Sequence, residues 1–524
     1  MVIRVWRLSI VILLFLFLAL QFLIPARLVI GGLGAVGRPS VAVGILLAFV
    51  WLVSAVRQRQ LPAGRQPIRW LIGFYLMVQL VGLAVGYDRG LPEAEATSAQ
   101  RWTIYIVSMI GVALAMAEGL KTRRQLDTVL RGLVGFAGFM AFVGTLQYFR
   151  LVDLTQYIRI PGLRTNSDLI GVAARGDGGF SRVAGTANHY IEFGVVLALV
   201  LPLAIHYAVF SPKGVRRVLS WVLVALIGSA IPFSISRAAI VTVAVTMLLM
   251  VTVWTWRTRY NAAVIIVVAM GAFHVVNRGL LGTIRSLFTN LDNDPSIQNR
   301  LGDTAYVWQL FDHRPWLGRG PGTFLPASYR LLDNQLYGTL IVGGVLGMLA
   351  LLLLFMVPYL MGRSMRLRGS DQETRHLGQA LAVVFPAALV ASGTFDSFGF
   401  ATFLSVVFIA VGAVGALWRL SGASPTRPMQ AAQPGDKWVA TPMTAHLRDR
   451  IRTAFAATRE RPGIRTAFEP MMPIAGRDLD REDVTYDGAS SQVTTVEVAD
   501  PDGVGAEGSA PSRGRHALSG AGAP

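Results

Sequence analysis

The chain contains a series of long apolar blocks that are nearly free of charged residues. A bilayer core about 30 Å thick needs roughly 20 apolar residues in an α-helix, and residues 337–360 exceed that length without one charge. Because lipid offers no partners to backbone N–H and C=O groups, such blocks must be helical. Charged residues make up 15% of the 524 residues, against about 25% in soluble domains. The sequence therefore predicts an all-α, polytopic membrane protein.

The apolar blocks predict about 12 transmembrane helices. They occupy residues 8–24, 40–56, 68–86, 102–117, 129–149, 190–210, 218–233, 238–256, 262–276, 337–360, 377–393 and 398–418. Two long loops, about 150–189 and 277–336, separate some of these helices. Both loops contain Gly, Arg and aromatic residues, and loops of this length are usually functional or disordered. We expect them to form ordered caps over a membrane domain that spans residues 1–420.

Basic residues cluster in every second short loop, which is the positive-inside pattern of membrane proteins. This pattern predicts that both termini are cytoplasmic and that the two long loops lie at the outer face. It also accounts for the net charge of +18, so nucleic-acid binding is not predicted. The first apolar block has an alternative interpretation as a signal peptide, but no obvious A-x-A cleavage site follows it.

The composition changes at Ser421, where Pro, Ala, Gly, Ser and charged residues become dominant. Such a segment cannot bury enough apolar surface to offset the entropy lost on ordering. Residues 421–524 are therefore predicted to be a disordered cytoplasmic tail. A short sequence echo, at 451–455 and 464–468, is explained more simply as chance in an Ala/Arg-rich tail than as a membrane-surface helix.

Several kinds of chemistry are not encoded in recognisable motifs. The chain has no cysteine, so disulfide and thiolate chemistry are excluded. No P-loop and no paired Cys/His zinc spacing occurs. Residues Asp292, Asn293 and Asp294 resemble a metal-binding D-x-D, but an Asx turn before Pro295 is the simpler interpretation. We predict neither a metal site nor a cofactor.

Four arginines are candidates for binding a pyrophosphate. Arg237 lies between two apolar blocks at the predicted outer edge, where an arginine is disfavoured unless it has an anionic partner. Its alternative role is to snorkel towards lipid headgroups. Arg182 precedes the sixth predicted helix, and Arg300 and Arg319 lie in the second long loop. Guanidinium groups bind phosphate oxygens in bidentate fashion.

Candidates for an acid–base role stand at the starts of two predicted helices. Asp333, followed by Asn334, precedes the tenth predicted helix. An aspartate there can cap the helix, or it can act as a general base at the membrane surface, and these roles are compatible. His189, before the sixth predicted helix, is a further candidate base, although a single His in this position is more often structural.

Together these motifs resemble the O-antigen ligase and polymerase family of membrane glycosyltransferases. The resemblance covers roughly residues 142–360. In chain order, its landmarks are Arg182, Gly185 and Asn188; Ser236, Arg237 and Ala238; and the large-loop residues Arg300, Trp308, Pro315, Leu317, Gly318, Gly320, Gly322 and Phe324. The resemblance implies a GT-C-like architecture in a bacterial inner membrane. The family's ligases have His-Asn where this chain has Asp333–Asn334, so the choice between ligase and polymerase stays open.

The resemblance also implies a function. A glycan would be transferred from an undecaprenyl-pyrophosphate lipid to an acceptor hydroxyl, with inversion and without a cofactor. Asp333 would be the catalytic base, and Arg182, Arg237, Arg300 and Arg319 would hold the pyrophosphate. The implied partners are the lipid-linked glycan, a glycan or lipid acceptor, membrane lipids and other polysaccharide-assembly proteins. The alternative class is a polytopic transporter or flippase for a polysaccharide or a lipid-linked glycan, against which the chain shows no obvious internal repeat.

Overall fold

A computed structural model describes residues 9–56, 66–165, 173–175, 180–276 and 295–422, together with residues 279, 282 and 285. The predicted D-x-D segment and nearly all of the predicted tail lie outside the described residues. The principal helices are α1 (Ile10–Phe22), α2 (Pro39–Val56), α3 (Pro67–Asp88), α4 (Glu93–Leu114), α5 (Arg123–Tyr148), α6 (Leu154–Tyr157), α7 (Tyr190–Val209), α8 (Val215–Ala230), α9 (Arg237–Met250), α10 (Trp256–Val276), α11 (Pro295–His313), α12 (Gln335–Arg368), α13 (Gln372–Ala382), α14 (Val384–Ser392) and α15 (Ala401–Leu420).

The all-α membrane fold predicted from the sequence is confirmed. Within the described residues, nine helices are long and apolar enough to cross a membrane, and two shorter apolar helices cover Ile10–Phe22 and Arg237–Val253. The count of 12 stays a prediction. Helix α4 begins at Glu93, well before the predicted start, because its polar first turns carry no apolar signal. The eleventh predicted helix is two consecutive helices, α13 and α14.

Two short antiparallel strand pairs lie in the loops. Strand β1 (Leu28–Ile30) pairs with β2 (Leu163–Thr165), and β3 (Ala173–Arg175) pairs with β4 (Phe180–Arg182). The first pair joins the segment after α1 to the first long loop. This loop is thereby tied back to the helix bundle, as expected of an ordered cap.

Helices α7 and α15 form the centre of the bundle, with 89% of each apolar window buried. The buried carboxylate of Glu192, in the first turn of α7, joins their starts. Its Oε1 accepts hydrogen bonds from the backbone N–H groups of Thr402 (2.6 Å) and Phe403 (3.3 Å), in the first turn of α15. Its Oε2 accepts from Asn188 N at 2.8 Å. A helix N-terminus has unpaired N–H groups and partial positive charge, so Glu192 fixes the relative position of two central helices.

Helix α12 is broken near its start. It has 34 residues, about 51 Å at 1.5 Å per residue, and Gly344 has non-helical dihedrals (φ 59°, ψ −155°). The predicted tenth helix, over 337–360, is thus present within α12, and it is interrupted at Gly344. The break leaves backbone groups without intrahelical partners, and within a membrane these must find partners in protein.

The second long loop supplies those partners. Four backbone hydrogen bonds join the loop to α12: Arg319 N to Ile341 O (3.0 Å), Gly320 N to Val342 O (3.0 Å), Val345 N to Pro315 O (2.7 Å) and Leu346 N to Trp316 O (3.1 Å). Two glycines permit this close approach. A Cβ on Gly318 would lie 2.5 Å from Val342 C, and one on Gly344 would lie 2.5 Å from Pro315 O. Each of these glycines therefore lies directly against the backbone of another segment.

The second long loop also contains a 19-residue helix, α11, that was not predicted from the sequence. The helix is short of apolar residues, so it lacks the signal of a membrane span. Its Val307 packs in a small apolar cluster with Leu332 and Ile341. The cluster anchors the loop on the first turns of α12.

Segments 180–189, 314–334 and 393–400 meet at one end of the bundle, which we call the long-loop face. Gln335 N donates to Phe395 O at 3.2 Å, and the rings of His189 and Phe400 are 5.8 Å apart. These two contacts join the starts of α7 and α12 to the turn before α15. The three helix starts are thus neighbours at this face.

The break predicts a sharp contrast between adjacent glycines. Gly344→Ala should destabilise the protein, because its backbone conformation is essentially restricted to glycine, at a cost of about 1–3 kcal/mol, and the new methyl would overlap the Pro315 carbonyl. Gly343→Ala is the matched control, because a Cβ added there would meet no neighbouring atom of the described residues within 4 Å. Thermal unfolding of the purified protein in detergent should show a melting temperature several degrees lower for the first variant alone. Equal melting temperatures would contradict the assigned role of the break.

Candidate active site at the long-loop face

Asn334, rather than Asp333, caps helix α12. Its Oδ1 accepts hydrogen bonds from Leu336 N (2.9 Å) and Tyr337 N (3.3 Å). The interpretation of Asp333 as the helix cap is therefore wrong by one residue. Asp333 is exposed immediately before the cap, so the rigid helix start positions its carboxylate without using it as the cap.

A second carboxylate, Asp396, lies beside Asp333. The turn that carries it is fixed to the start of α12 by Gln335, whose backbone N donates to Phe395 O and whose Oε1 accepts from Phe398 N at 2.8 Å. Asp396 faces a cavity, so its surface is accessible to water although protein surrounds it. Burial first, and the negative charge of Asp333 second, raise the pKa of Asp396 to about 6. Two neighbouring carboxylates resist simultaneous ionisation.

Asp396 was not among the site residues predicted from the sequence. The available signal was an acidic residue in a short apolar turn between two predicted helices at the outer edge, where ionisable residues are functional candidates. What the sequence did not reveal is that the turn folds back onto Gln335. That contact, between residues 63 positions apart in the chain, brings the two carboxylates together.

The cavity has a volume of about 260 Å³ and lies between α3, α4, the second long loop and α12. Together with Asp396, the cavity is lined by aromatic and amide side chains, among them Tyr75, Trp102, Phe324, Phe398, Gln79 and Gln335. Trp102 Nε1 donates to Gln79 Oε1 at 3.2 Å, which fixes the indole. A mostly apolar cavity with a few placed polar groups is the usual form of a small-molecule site. Aromatic faces together with amides and carboxylates suit a ligand rich in hydroxyl groups.

Arg182 and His189 lie together at the start of α7. The Arg182 guanidinium stacks over the Tyr190 ring at 4.5 Å and donates to its hydroxyl. His189 is the helix N-cap, and its Nδ1 accepts from Ile191 N at 3.2 Å. Burial, followed by the charge of Arg182, lowers the pKa of His189 to about 4. A neutral ring whose Nδ1 accepts a hydrogen bond carries its proton on Nε2, so His189 is a donor at neutral pH and the structural alternative is favoured over a base.

Arg237 is the first residue of α9 and is held in an unusual setting. Ser236 caps the helix, with its Oγ accepting from Ala239 N at 3.4 Å. The preceding Ile235 is fully buried and left-handed, with φ 44°, which is rare for a β-branched residue. A cation at a helix N-terminus also opposes the helix dipole. Strain of this kind costs of order 1–3 kcal/mol and concentrates at functional sites.

The starts of α7 and α9 are in direct contact, so Arg182 and Arg237 belong to adjoining segments. A Cβ on Gly194 would lie 2.5 Å from both Ala239 Cβ and Ser234 Oγ. Val183 N also donates to Phe233 O at 3.4 Å. The ring contact between His189 and Phe400 then connects this region to the turn that carries Asp396.

The remaining two predicted arginines, Arg300 and Arg319, lie in the second long loop. Arg300 is on α11. Arg319 forms an ion pair with Glu95 of α4 (3.5 Å) and stacks over Tyr329 at 4.6 Å. The convergence of all four arginines on one pyrophosphate stays a prediction. The structure does bring Asp333, Asn334 and Asp396 together. The contact between the rings of His189 and Phe400 connects Arg182 and His189 to this group.

Residues 221–345 match the family model for O-antigen ligase. No curated protein matches the chain significantly. The matched segment contains the Ser236–Ala238 element, the second long loop, Asp333 and the broken start of α12. It ends at Val345, whose backbone N–H donates to Pro315 O. The chain is thus a multi-pass membrane protein whose residues 221–345 are similar to the O-antigen ligase family.

Proposed function

We propose that the protein transfers or polymerises a glycan from an undecaprenyl-pyrophosphate-type lipid to an acceptor hydroxyl, at the outer face of the bacterial inner membrane. One observation carries the proposal. Asp333 and Asp396 lie together beside a cavity with aromatic and amide walls, in a chain that contains an O-antigen ligase domain. The basic short loops support an orientation with the long-loop face outside.

The reaction requires one proton to be removed while one bond is exchanged for another. The acceptor oxygen attacks the anomeric carbon, the bond from that carbon to the pyrophosphate oxygen breaks, and the acceptor proton passes to a carboxylate. Attack opposite the leaving group inverts the anomeric configuration. Asp333 is the proposed base, and Asp396, whose pKa is raised to about 6 by burial and by the charge of Asp333, is its neighbouring carboxylate. A base works best when its pKa lies near the operating pH.

The leaving group is a doubly charged pyrophosphate, and arginines are the proposed means of stabilising it. Arg182, Arg237 and Arg300 are assigned to this role. The strained backbone before Arg237 supports the assignment, because it holds a cation where a helix alone would not favour one. Arg319 is engaged by Glu95, so we assign it to a separate site. The chemistry so written needs no nucleotide and no metal.

The donor lipid is proposed to enter sideways between helices, with its glycan in the loop-capped cavity. Membrane lipids, the acceptor and other envelope polysaccharide assembly proteins are the proposed partners. A transporter or flippase for the same lipid is the alternative. Purified protein in proteoliposomes with a defined polyprenyl-pyrophosphate glycan separates the two. Release of the free pyrophosphate carrier together with a lengthened or ligated glycan supports transfer, whereas movement of an intact donor across the bilayer supports transport.

Neutralising either carboxylate should suppress transfer. Asp333→Asn and Asp396→Asn keep the side-chain shape but remove proton-accepting capacity, so kcat should fall by about 10²- to 10⁴-fold. Asp371→Asn, at the start of α13, removes a carboxylate that caps a helix away from the cavity and should leave transfer nearly unchanged. Full activity in both of the first two variants, with normal folding, would overturn the assignment of the base.

The carboxylate pair predicts a specific pH profile. The negative charge that Asp396 gains on ionisation makes the neighbouring Asp333 a stronger base, so kcat/KM should rise with pH through about 6, the pKa of Asp396. In Asp333→Asn the neighbouring negative charge is absent, so the pKa of Asp396 falls and the midpoint of any residual activity moves to lower pH. Initial rates across the acidic and neutral range measure both profiles. An unchanged midpoint in the variant would show that the two carboxylates titrate independently.

The arginine assignment predicts loss of transfer with retention of fold. Arg237→Ala and Arg300→Ala should each reduce transfer by at least about 10²-fold, because stabilisation of a developing charge is removed. Arg159→Ala is the control, since Arg159 is exposed in the first long loop. Glycan products are read by gel electrophoresis, and folding by size-exclusion elution. Products of normal length or attachment in the two variants would contradict the proposed pyrophosphate site.

A further inference from the structure

A second cavity at the long-loop face is lined mainly by cationic side chains. Its volume is about 370 Å³, and its walls are Arg89, Leu310, His313, Arg314 and Arg319. We call it the arginine pocket. No acidic residue is among the described residues that line it. Three guanidinium groups from three separate parts of the chain (the end of α3, the end of α11 and the loop beyond it) therefore face one space.

A buried carboxylate holds two of these arginines in place. Glu95 Oε2 accepts from Arg89 NH2, and Glu95 Oε1 lies 3.5 Å from Arg319 NH2. Arg89 Nε also donates to Arg319 O at 3.0 Å. The Tyr329 hydroxyl donates to Glu95 and accepts from Arg319. The side chain of Glu95 is 4% exposed, so the two guanidiniums are anchored from behind and presented rigidly to the pocket.

The local charges do not balance. Glu95 compensates one of the two anchored arginines, and Arg314 adds a further positive charge, so positive charge remains in excess at the pocket. Arg319 Nε has no hydrogen-bond acceptor among the described residues. Favourable interaction with the C-terminal dipole of α11 explains a cation at Arg314. It does not explain Arg89 and Arg319, which come from other segments.

The arginine pocket adjoins the carboxylate cavity but differs from it in charge. Arg319 lines the arginine pocket, and Pro321 and Gly322, which follow it closely in the chain, line the cavity that contains Asp396. An anionic group is repelled by Asp333 and Asp396 and attracted by the three arginines. A bound molecule that spans both spaces would therefore place its hydroxyl groups near the carboxylates and its anionic group among the arginines.

We infer that the arginine pocket binds a phosphate-ester group, carried either by a soluble sugar phosphate or by the headgroup of an anionic lipid. Guanidinium groups form bidentate, charge-assisted hydrogen bonds with phosphate, and the negative charge of a phosphate ester offsets the excess positive charge. The inference rests on the proposed function for the identity of the biological ligand, as a substituent of the glycan or the acceptor. Binding itself is independent of transfer.

The test compares two exposed arginines in the full-length protein. Arg314→Glu reverses a pocket charge without breaking the Glu95 ion pairs, because Arg314 is exposed and outside them. Arg101→Glu is the matched control, an exposed arginine of α4 that does not line the pocket. Titration calorimetry in detergent measures binding of glucose 6-phosphate and of glucose. In lipid nanodiscs, the melting temperature with phosphatidylglycerol is compared with that in phosphatidylcholine.

We expect phosphate-dependent binding that Arg314→Glu weakens by about tenfold or more and Arg101→Glu changes by less than about twofold. A response to glucose 6-phosphate identifies a soluble ester, and a response to phosphatidylglycerol alone identifies a lipid headgroup. No phosphate-dependent response in either arm, or an equal loss in both variants, would overturn the inference.

The same assay separates this inference from the proposed function. Asp396→Asn should abolish transfer while leaving phosphate binding intact or stronger, because a nearby negative charge is removed. Active Asp333→Asn and Asp396→Asn variants that still bind phosphate would remove the proposed function and leave the arginine pocket standing. If the two variants are inactive and the wild-type protein does not bind phosphate, the arginine-pocket inference is removed and the proposed function remains.

Discussion

The break in α12 and the loop hydrogen-bonded to it form the constraint on which the long-loop face depends. Ile341 O, Val342 O, Val345 N and Leu346 N would be unpaired in a lipid environment, and residues 315–320 pair with all four. The loop is thereby fixed against α12 and against the end of α3, where Gly82 and Gly86 have no side chains and let the loop pack closely. The loop residues that line the two cavities, from Arg319 to Phe324, are positioned by this pairing.

A second set of contacts holds the three helix starts together. Glu192 caps α15 from α7, and Gln335 ties α12 to the turn before α15. Each uses a buried polar side chain to satisfy backbone groups that would otherwise be unpaired, at a substantial cost if either partner is lost. The result is a rigid rim on which Asp333, Asp396 and Arg182 stand. Rigidity of this kind is what allows charged groups to be held close despite mutual repulsion and a strained backbone at Ile235.

Particular residues show how far sequence reasoning reaches. Gly318 is visible in the sequence as a landmark of the large loop, but only the structure shows that Gly318 and Gly344 are needed for the close approach of two backbones. The capping position was predicted within one residue, since Asn334 fills it and leaves Asp333 just outside the helix. Asp396 was not predicted as a site residue, because a single acidic residue in a short turn carries no periodic signal. Helix α11 was missed for a related reason, since its apolar residues form a stripe too weak to resemble a membrane span.

The sequence by itself determined the class of fold, the approximate helices and the predicted orientation, because burial of apolar length and the placement of basic loops are local properties of the chain. Short motifs in chain order also gave the resemblance to O-antigen ligases, which residues 221–345 share with the family model. The tertiary structure alone decided which distant residues meet: Asp333 with Asp396, Arg89 with Arg319 through Glu95, and the loop with the break in α12. These pairings are set by backbone and charged side-chain groups that must find partners across the fold, and no local pattern of residues encodes which partner that is.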